Sequence, residues 1–415
     1  MDVRDHAGAH RRRATLAGAV ALLAAGAAAA LLLRTKTPAL DLPELAPERY
    51  FPGADLERAD GFRRVTRGLW AGSVVVELAV LGILVWNRRP LAARVARVAR
   101  GRVRTGIGLG LVAVVAVWVA SLPLDVVRHW WDRRYGLSRQ GYDAWLGDRG
   151  VSLGVRAVLL SIAVGGAVYL ASRLGRRWWL AGAPALVAVG TVYLLAQPLV
   201  VQPLFNRFSP LPDPALAGEI ERLAERMGVE VETVQVADAS RRTTTANAYV
   251  AGLGPTRRVV FYDTILDGRF TDAELVAVAA HELAHVERRH LWKGLAWFAL
   301  FAVPGVAAVA AVTERHGGLR DPALVPLGLL TAVVVSLVVM PLANAVSRRY
   351  EAEADWLALT ATRDPDAAVG LDRRLVLTSL GDPTPPAWAK VLLSTHPPAM
   401  ERIAMAEAFR ARLGR

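Results

Sequence analysis

The residues with the clearest chemical potential lie between positions 281 and 290, in the stretch HELAHVERRH. On a helix, His281 and His285 lie one above the other, so two neutral imidazoles can share one metal ion. Glu282 lies one step around the helix, where it can reach a water molecule bound to that ion. This H-E-x-x-H spacing is a recurrent zinc-protease arrangement. The alternative is a solvated, charged helix without a metal.

A zinc ion needs a further protein ligand, and the chain contains no cysteine, so histidine or a carboxylate must supply it. The candidate stretch is NAVSRRYEAEAD, residues 344–355, because two predicted spans return the chain to the side of the histidines. Four of its polar residues share one helix face: Asn344, Arg348, Glu351 and Asp355. Glu353 points about 200° away from Glu351, which favours Glu351 as the ligand and an exposed or packing position for Glu353. A solvated helix is again the alternative.

The elements that must position these residues can be predicted from local signals. The stretch TDAE, residues 271–274, forms a capping box that starts the helix carrying His281. Asp213 and Pro214 begin an earlier helix, and Gly228 ends it. Three short strands are expected in VETVQVAD, NAYVAGLG and RRVVFYD. His290, beyond the motif, is expected to be exposed or to face lipid headgroups.

The rest of the chain is strongly apolar, with 53% hydrophobic residues and a mean hydropathy of +0.31. Seven windows have the length and apolarity of membrane helices: 14–33, 70–86, 105–127, 151–172, 178–201, 291–313 and 323–346. A signal peptide is the alternative for the first window, because a basic segment precedes it and small residues close it. The chain is therefore predicted to be a multi-pass membrane protein.

The formal net charge of +13 does not indicate nucleic acid binding. The arginines cluster beside the predicted spans, as in the loop at residues 87–104, where they would meet anionic lipid headgroups. The expected partner is a lipid bilayer, with no nucleic acid.

These observations predict a mainly α fold with about seven transmembrane helices and a small α+β catalytic domain formed by two separate hydrophilic regions. The predicted division is residues 1–201 for spans one to five, 202–290 for the first catalytic part, 291–346 for spans six and seven, and 347–415 for the second catalytic part.

The chain resembles the type I CAAX prenyl endopeptidases, integral-membrane gluzincins related to the HtpX-type bacterial membrane proteases. The matching stretches are QPLFNRFSPLPD, NAYVAGLGPTRRVVFYDTIL, HELAHVERRH, NAVSRRYEAEAD and STHPPAMERI. The resemblance implies one zinc ion per chain, with the ligands His281, His285 and Glu351. It also implies that Glu282 is the general base, taking a proton from water and passing it to the departing amine.

The resemblance assigns roles to further residues. His396 would stabilise the oxyanion, with Arg402 nearby, and Asp355 would orient a ligating histidine. From the helix face that they share with Glu351, rather than from the resemblance, Asn344 and Arg348 are expected to support the ligand shell. The NAYVAG segment would be an edge strand that pairs with the extended substrate backbone, through Asn247, Ala248 and Tyr249.

The predicted function is zinc-dependent endopeptidase activity of the CAAX prenyl protease type, on peptide or protein substrates that are membrane-associated or lipidated. An HtpX-like quality-control protease is the alternative, and a membrane sensor with a metallopeptidase domain ranks below both. The arginines at 87–104 place residues 202–290 outside the cell by the positive-inside rule. The family topology instead places the catalytic domain in the cytoplasm, and we adopt that topology as the prediction.

Overall fold

The structure is a computed structural model that describes residues 23–414. Its helices are α1 (Leu23–Leu32), α2 (Gly53–Trp86), α3 (Arg88–Ala99), α4 (Arg102–Arg134), α5 (Tyr142–Leu174), α6 (Trp179–Ala196), α7 (Pro214–Arg226), α8 (Asp272–Glu287), α9 (His290–Glu314), α10 (Val325–Thr362), α11 (Pro365–Ser379), α12 (Ala387–Leu393) and α13 (Ala399–Leu413). Its strands are β1 (Phe208–Pro210), β2 (Thr233–Ala237), β3 (Ala248–Ala251) and β4 (Arg258–Tyr262).

Six helical segments are long and apolar enough to span a membrane, and they match the second to seventh predicted windows to within one residue at the start of the fifth window: Gly53–Trp86, Arg102–Arg134, Tyr142–Arg177, Trp179–Leu204, His290–Glu314 and Pro322–Thr362. Of the first predicted window, 14–33, residues 14–22 lie outside the described residues. The described remainder forms the short helix α1. The predicted class, a polytopic helical membrane protein with a small sheet-containing domain, is confirmed.

The arginine-rich segment after α2 is a helix rather than the predicted loop. Over Arg88–Ala99 the chain forms α3, whose apolar residues Leu91 and Val95 pack against the core of the spans. Arg94 and Arg97 lie on its exposed face. The loop prediction was wrong because apolar and basic residues alternate here at helical spacing.

The spans α4 and α5 cross at very short range because both carry glycine at the crossing. A Cβ atom added to Gly106 would lie 2.8 Å from a methyl carbon of Val168, and one added to Gly165 would lie 3.0 Å from Ile107. Small residues of this kind let two helix backbones approach closely in a membrane, where packing rather than water exclusion holds helices together.

The hydrophilic segment between the fourth and fifth of these spans folds around a four-stranded sheet with the strand order β1-β2-β4-β3. The strands β2, β3 and β4 confirm the predicted ones, and β1 was not predicted. β4 pairs parallel to β2 and antiparallel to β3. β3 is therefore at an edge of the sheet, and it packs beside α8. The core between the sheet, α7 and α8 is fully apolar, with Ile220, Leu223, Val259, Phe261 and Leu283 at its centre.

Two membrane helices continue without a break into the hydrophilic part of the protein. α10 runs from the membrane to Thr362, so the predicted boundary at residue 346 falls inside one helix. The first half of α2 likewise leaves the membrane, and Arg63 there donates hydrogen bonds to the carbonyl groups of Leu380 and Ser379. The membrane helices thus fix the position of the catalytic elements directly.

Candidate active site

Helix α8 holds the two motif histidines in the interior of the protein. The predicted capping box starts it: Thr271 Oγ1 accepts from the Glu274 amide, and the Glu274 carboxylate accepts from the Thr271 amide. His281 and His285 follow on one face, with their Nε2 atoms 3.1 Å apart. Both imidazoles therefore present the same nitrogen to the same point.

Helix α10 brings a carboxylate to that point. Glu351 Oε2 lies 3.2 Å from His281 Nε2 and 3.5 Å from His285 Nε2. Within the described part of the chain, these three residues form a group whose ligand atoms all lie within 4.8 Å of one another. Two imidazole nitrogens and one carboxylate oxygen are donors that suit a divalent ion such as zinc, and three protein ligands leave a position for water or substrate. The residues present therefore fit a catalytic metal.

Glu282 lies next to His281 on α8 and points into the same charged environment. Burial is the main cause of a raised pKa of its carboxyl group, the neighbouring histidines act to lower that pKa, and the carboxylate of Glu351 acts to raise it. The net shift is upward. A carboxyl group with a raised pKa beside a metal site is suited to accept and return a proton at neutral pH.

A buried chain of charges supports His281 from behind. His281 Nδ1 lies 2.8 Å from Asp355 Oδ1. Arg402 contacts both oxygens of Asp355, at 2.7 and 2.9 Å, and its third contact is with Asp372 at 2.7 Å. Burial acts to lower the pKa of Arg402, but the two carboxylates of Asp355 and Asp372 raise it by more. The net shift is upward, so the guanidinium stays charged. Burial raises the pKa of Asp372 to about 7 although Arg402 lowers it.

His396 approaches the site from the opposite side, on the loop between α12 and α13. Its Nε2 lies 3.1 Å from Glu351 Oε2, and its side chain is 58% exposed. Two predicted residues of α10 hold α12 and the first residue of this loop. Asn344 donates to the carbonyl of Leu392 at 2.7 Å, and Arg348 donates to the carbonyls of Lys390 and Ser394 at 2.8 and 2.7 Å. Asn344 and Arg348 thus contact the segment before His396 rather than the ligands themselves.

A cavity of about 730 Å³ adjoins the site on the side of His396. Its lining comes from α2, α4, α10 and the chain around α12, and includes Arg63, Trp70, Arg128, Met340, Asn344 and His396. This volume is within the range of ligand sites in proteins. The cavity therefore offers space for a ligand beside His396.

The predicted substrate-binding segment forms the edge strand β3 of the sheet. Asn247 accepts a hydrogen bond from the Tyr262 amide through its carbonyl oxygen, so this residue faces β4. Ala248 and Tyr249 continue as β3, and the Tyr249 hydroxyl donates to Gln202 at 3.0 Å. Among the described strands, β3 pairs with β4 alone. Its outer edge can accept a further extended strand.

Two residues that the sequence placed on exposed or packing faces are buried against the site. His290 is 7% exposed and Glu353 is 0% exposed. The expectation for His290 was wrong because α8 ends at Glu287 and the chain reverses at Arg289, whose φ is +54°. Glycine is the usual residue at such a left-handed position. Because the residue here is arginine, the sequence does not indicate that the chain turns at this point. The acidic pattern of NAVSRRYEAEAD alone could have drawn attention to Glu353.

Comparison with known proteins agrees with this geometry. The family model "Peptidase family M48" matches residues 210–410, and the model "CAAX prenyl protease N-terminal, five membrane helices" matches residues 73–207. The crystal structure of S. mikatae Ste24p has the same fold, with a TM-score of 0.73 at 19% identity, over 94% of this chain and 97% of that chain.

Two relatives reach 30% identity over most of their length. One is the Uncharacterized metalloprotease YhfN of Bacillus subtilis, matched over 311 residues, 72% of this chain and 73% of that protein. The other is the CAAX prenyl protease 1 homolog of Arabidopsis thaliana, matched over 317 residues, 71% of this chain and 72% of that protein. Membership of family M48 implies a divalent metal. The chain belongs to peptidase family M48 and is a multi-pass membrane metalloendopeptidase of the CAAX prenyl protease type.

Proposed function

We propose that the metal is one zinc ion held by His281, His285 and Glu351, and that the catalytic unit combines the two hydrophilic regions of the chain. The observation that carries this proposal is the convergence of the three ligand atoms within 4.8 Å. A zinc site of this type supplies Lewis-acid chemistry, which acidifies water and polarises a peptide carbonyl.

In the proposed mechanism Glu282 accepts a proton from the attacking water and returns it to the departing amine. His396 lies beside Glu351 and opens onto the large cavity. It donates a hydrogen bond to the carbonyl oxygen as that oxygen gains negative charge. Asp355, held by Arg402, keeps the Nδ1 proton on His281 and thereby leaves the Nε2 lone pair free for the metal.

We propose that substrates bind as an extended strand along the outer edge of β3, from Asn247 to Tyr249, with the scissile bond delivered to the adjoining site on α8. The proposed substrates are peptide tails of membrane-associated or lipidated proteins. The reason is that helices α2 and α10 continue from the membrane into the catalytic unit, so the proposed site lies close to the membrane. Relatives named CAAX prenyl protease 1 homolog support this class. We place the catalytic side in the cytoplasm, where such tails occur.

The test uses purified protein in nanodiscs and three substrates: a peptide with a farnesylated cysteine near its carboxyl end, the same peptide without lipid, and an unfolded membrane protein. The wild type should cleave the farnesylated peptide most efficiently. Glu282→Gln should retain zinc and lose about 10² to 10⁴ in turnover, and Glu351→Gln should lose zinc. Glu287→Gln, on the same helix and paired with Lys36 in the described chain, is the control and should remain active.

Wild-type turnover from Glu282→Gln, or full zinc content in Glu351→Gln, would contradict the assigned roles. Cleavage of the unfolded membrane protein without cleavage of either peptide would contradict the proposal of tail processing and support a quality-control protease instead.

A further inference from the structure

The second metal-ligating histidine has an unusual partner behind it. His285 Nδ1 lies 2.8 Å from the Nδ1 atom of His290, and His290 Nε2 lies 3.0 Å from Glu353 Oε2. His281, in contrast, contacts the carboxylate of Asp355 directly. We propose that Glu353 and His290 form a positioning relay that holds His285 with its Nε2 lone pair directed at the metal. The inference rests on the proposed zinc site.

The directions of the hydrogen bonds along this relay follow from the number of protons on each ring. A neutral imidazole carries one N–H donor and one acceptor nitrogen. The carboxylate of Glu353 can only accept, so His290 donates from Nε2 and keeps a lone pair on Nδ1. His290 Nδ1 then accepts from His285 Nδ1–H, which leaves the lone pair of His285 on Nε2. One buried carboxylate therefore fixes the tautomer of both histidines.

The carboxylate of Glu353 is itself held on every side. Its Oε1 accepts from the main-chain amide of Lys36 at 2.6 Å and from Arg288 Nε at 2.7 Å. Lys293 Nζ lies 3.6 Å from Oε2, the atom that faces His290. The side chain of Glu353 is 0% exposed. A buried carboxylate between two cationic side chains is suited to remain charged and fixed in orientation.

The ring of His290 is also fixed in its plane. Tyr350 stacks on it with the ring centroids 4.6 Å apart and the planes inclined by 14°. The Tyr350 hydroxyl accepts from Trp297 Nε1 at 2.9 Å and donates to the carbonyl of Leu32 at 2.7 Å. The end of α1 and the segment after it thus support the relay, through the Leu32 carbonyl and the Lys36 amide respectively. Partners of metal-ligating histidines typically contribute about 10- to 100-fold in metal affinity.

Replacements of His290 can separate hydrogen bonding from packing. His290→Phe keeps a flat ring against Tyr350 but has neither nitrogen. His290→Gln has a carbonyl that can accept from His285 and an amide that can donate to Glu353. If the relay acts through hydrogen bonds, glutamine should rescue what phenylalanine loses. A role in packing alone predicts the reverse order.

The experiment measures zinc affinity of the metal-free full-length protein by competition with a chromophoric chelator. His290→Phe should bind zinc about 10- to 100-fold more weakly, while His290→Gln stays near wild type. Glu221→Gln, which changes an exposed carboxylate on α7, is the control and should not change the affinity. The unfolding midpoint of each metal-free variant is recorded, and an unchanged midpoint excludes a general loss of structure. Cobalt-loaded His290→Phe should also show an altered visible absorption spectrum, because His285 is no longer held in one orientation.

Wild-type zinc affinity in a folded His290→Phe protein would overturn the relay, and so would equal losses in the phenylalanine and glutamine variants. If His290→Phe does not fold, Glu353→Gln makes the same test. Its carbonyl oxygen can still accept from the Lys36 amide and Arg288, but its NH2 group then faces His290 Nε2 as a donor and reverses the direction of the relay. The expected loss is again about 10- to 100-fold, and wild-type affinity there would overturn the relay. Glu351→Gln distinguishes the two levels of the argument, since zinc retention in that variant contradicts the zinc site itself.

Discussion

Replacing Arg402 with methionine should lower the free energy of unfolding by about 3 kcal/mol near pH 6. Arg402 is buried and makes two contacts with Asp355 and one with Asp372. Removing one partner of a buried charged group costs about 3 to 5 kcal/mol, because the remaining charge stays buried without compensation. We expect a loss of stability at the lower end of this range for two reasons. Asp355 keeps its contact with His281, and Asp372, whose pKa is raised to about 7 by burial, can take up a proton.

The same variant should become less stable relative to wild type as the pH rises. A carboxyl group whose pKa is higher in the folded than in the unfolded protein costs stability as the pH rises towards the folded pKa. In the wild type this cost is complete at about pH 7 for Asp372. Without Arg402 the folded pKa of Asp372 is higher still, so the cost continues to grow by up to about 1.4 kcal/mol for each further pH unit. The difference near pH 8 should therefore be about 4 kcal/mol.

Equilibrium unfolding in mixed micelles, followed by tryptophan fluorescence at the two pH values, measures both quantities. The control is Arg412→Met on the same helix, since Arg412 is exposed and its hydrogen bond to the Ala39 carbonyl is 3.3 Å long. A loss from Arg402→Met below about 1 kcal/mol, the range of exposed ion pairs, would refute the reasoning. A difference that stays constant between the two pH values would refute the role given to Asp372.

Three further predictions concern the substrate edge, the spans and the topology. By strand alternation the amide of Val250 faces the open edge of β3, so Val250→Pro should raise KM more than it lowers kcat, while Val250→Ala should do neither. Gly106→Ala should destabilise the protein by about 1 to 3 kcal/mol because its Cβ has no room, whereas Gly154→Ala, with no atom within 4 Å of its Cβ, should be tolerated in thermal unfolding. Reporters fused after residues 289 and 415 should lie on the same, cytoplasmic side of the membrane, and opposite sides would contradict the span assignment.

Much of the site could be predicted because its signals are local. The H-E-x-x-H spacing depends on helical geometry alone, and the capping box at Thr271 marks where that helix begins. Apolar length identified the second to seventh windows as spans, because each must cross the bilayer with its backbone hydrogen bonds satisfied internally. The face shared by Glu351 and Asp355 followed from helix periodicity in the same way. The segment at 87–104 was interpreted only as a basic loop between spans, and the helical spacing of Leu91 and Val95 in α3 was not used.

The sequence by itself determined which residues form the candidate metal site and which helices are long and apolar enough to cross the membrane, since both depend on local spacing and composition. Only the tertiary structure decided which residues contact His285 on the side away from the metal site. Glu353 meets Lys36, His290 and Arg288 across gaps of 317, 63 and 65 residues, and no local pattern records such contacts. His290 reaches His285 only because the chain reverses at Arg289. Burial and chain reversal, which depend on the packing of the whole fold, therefore turned two residues with no predicted role into support for the metal site.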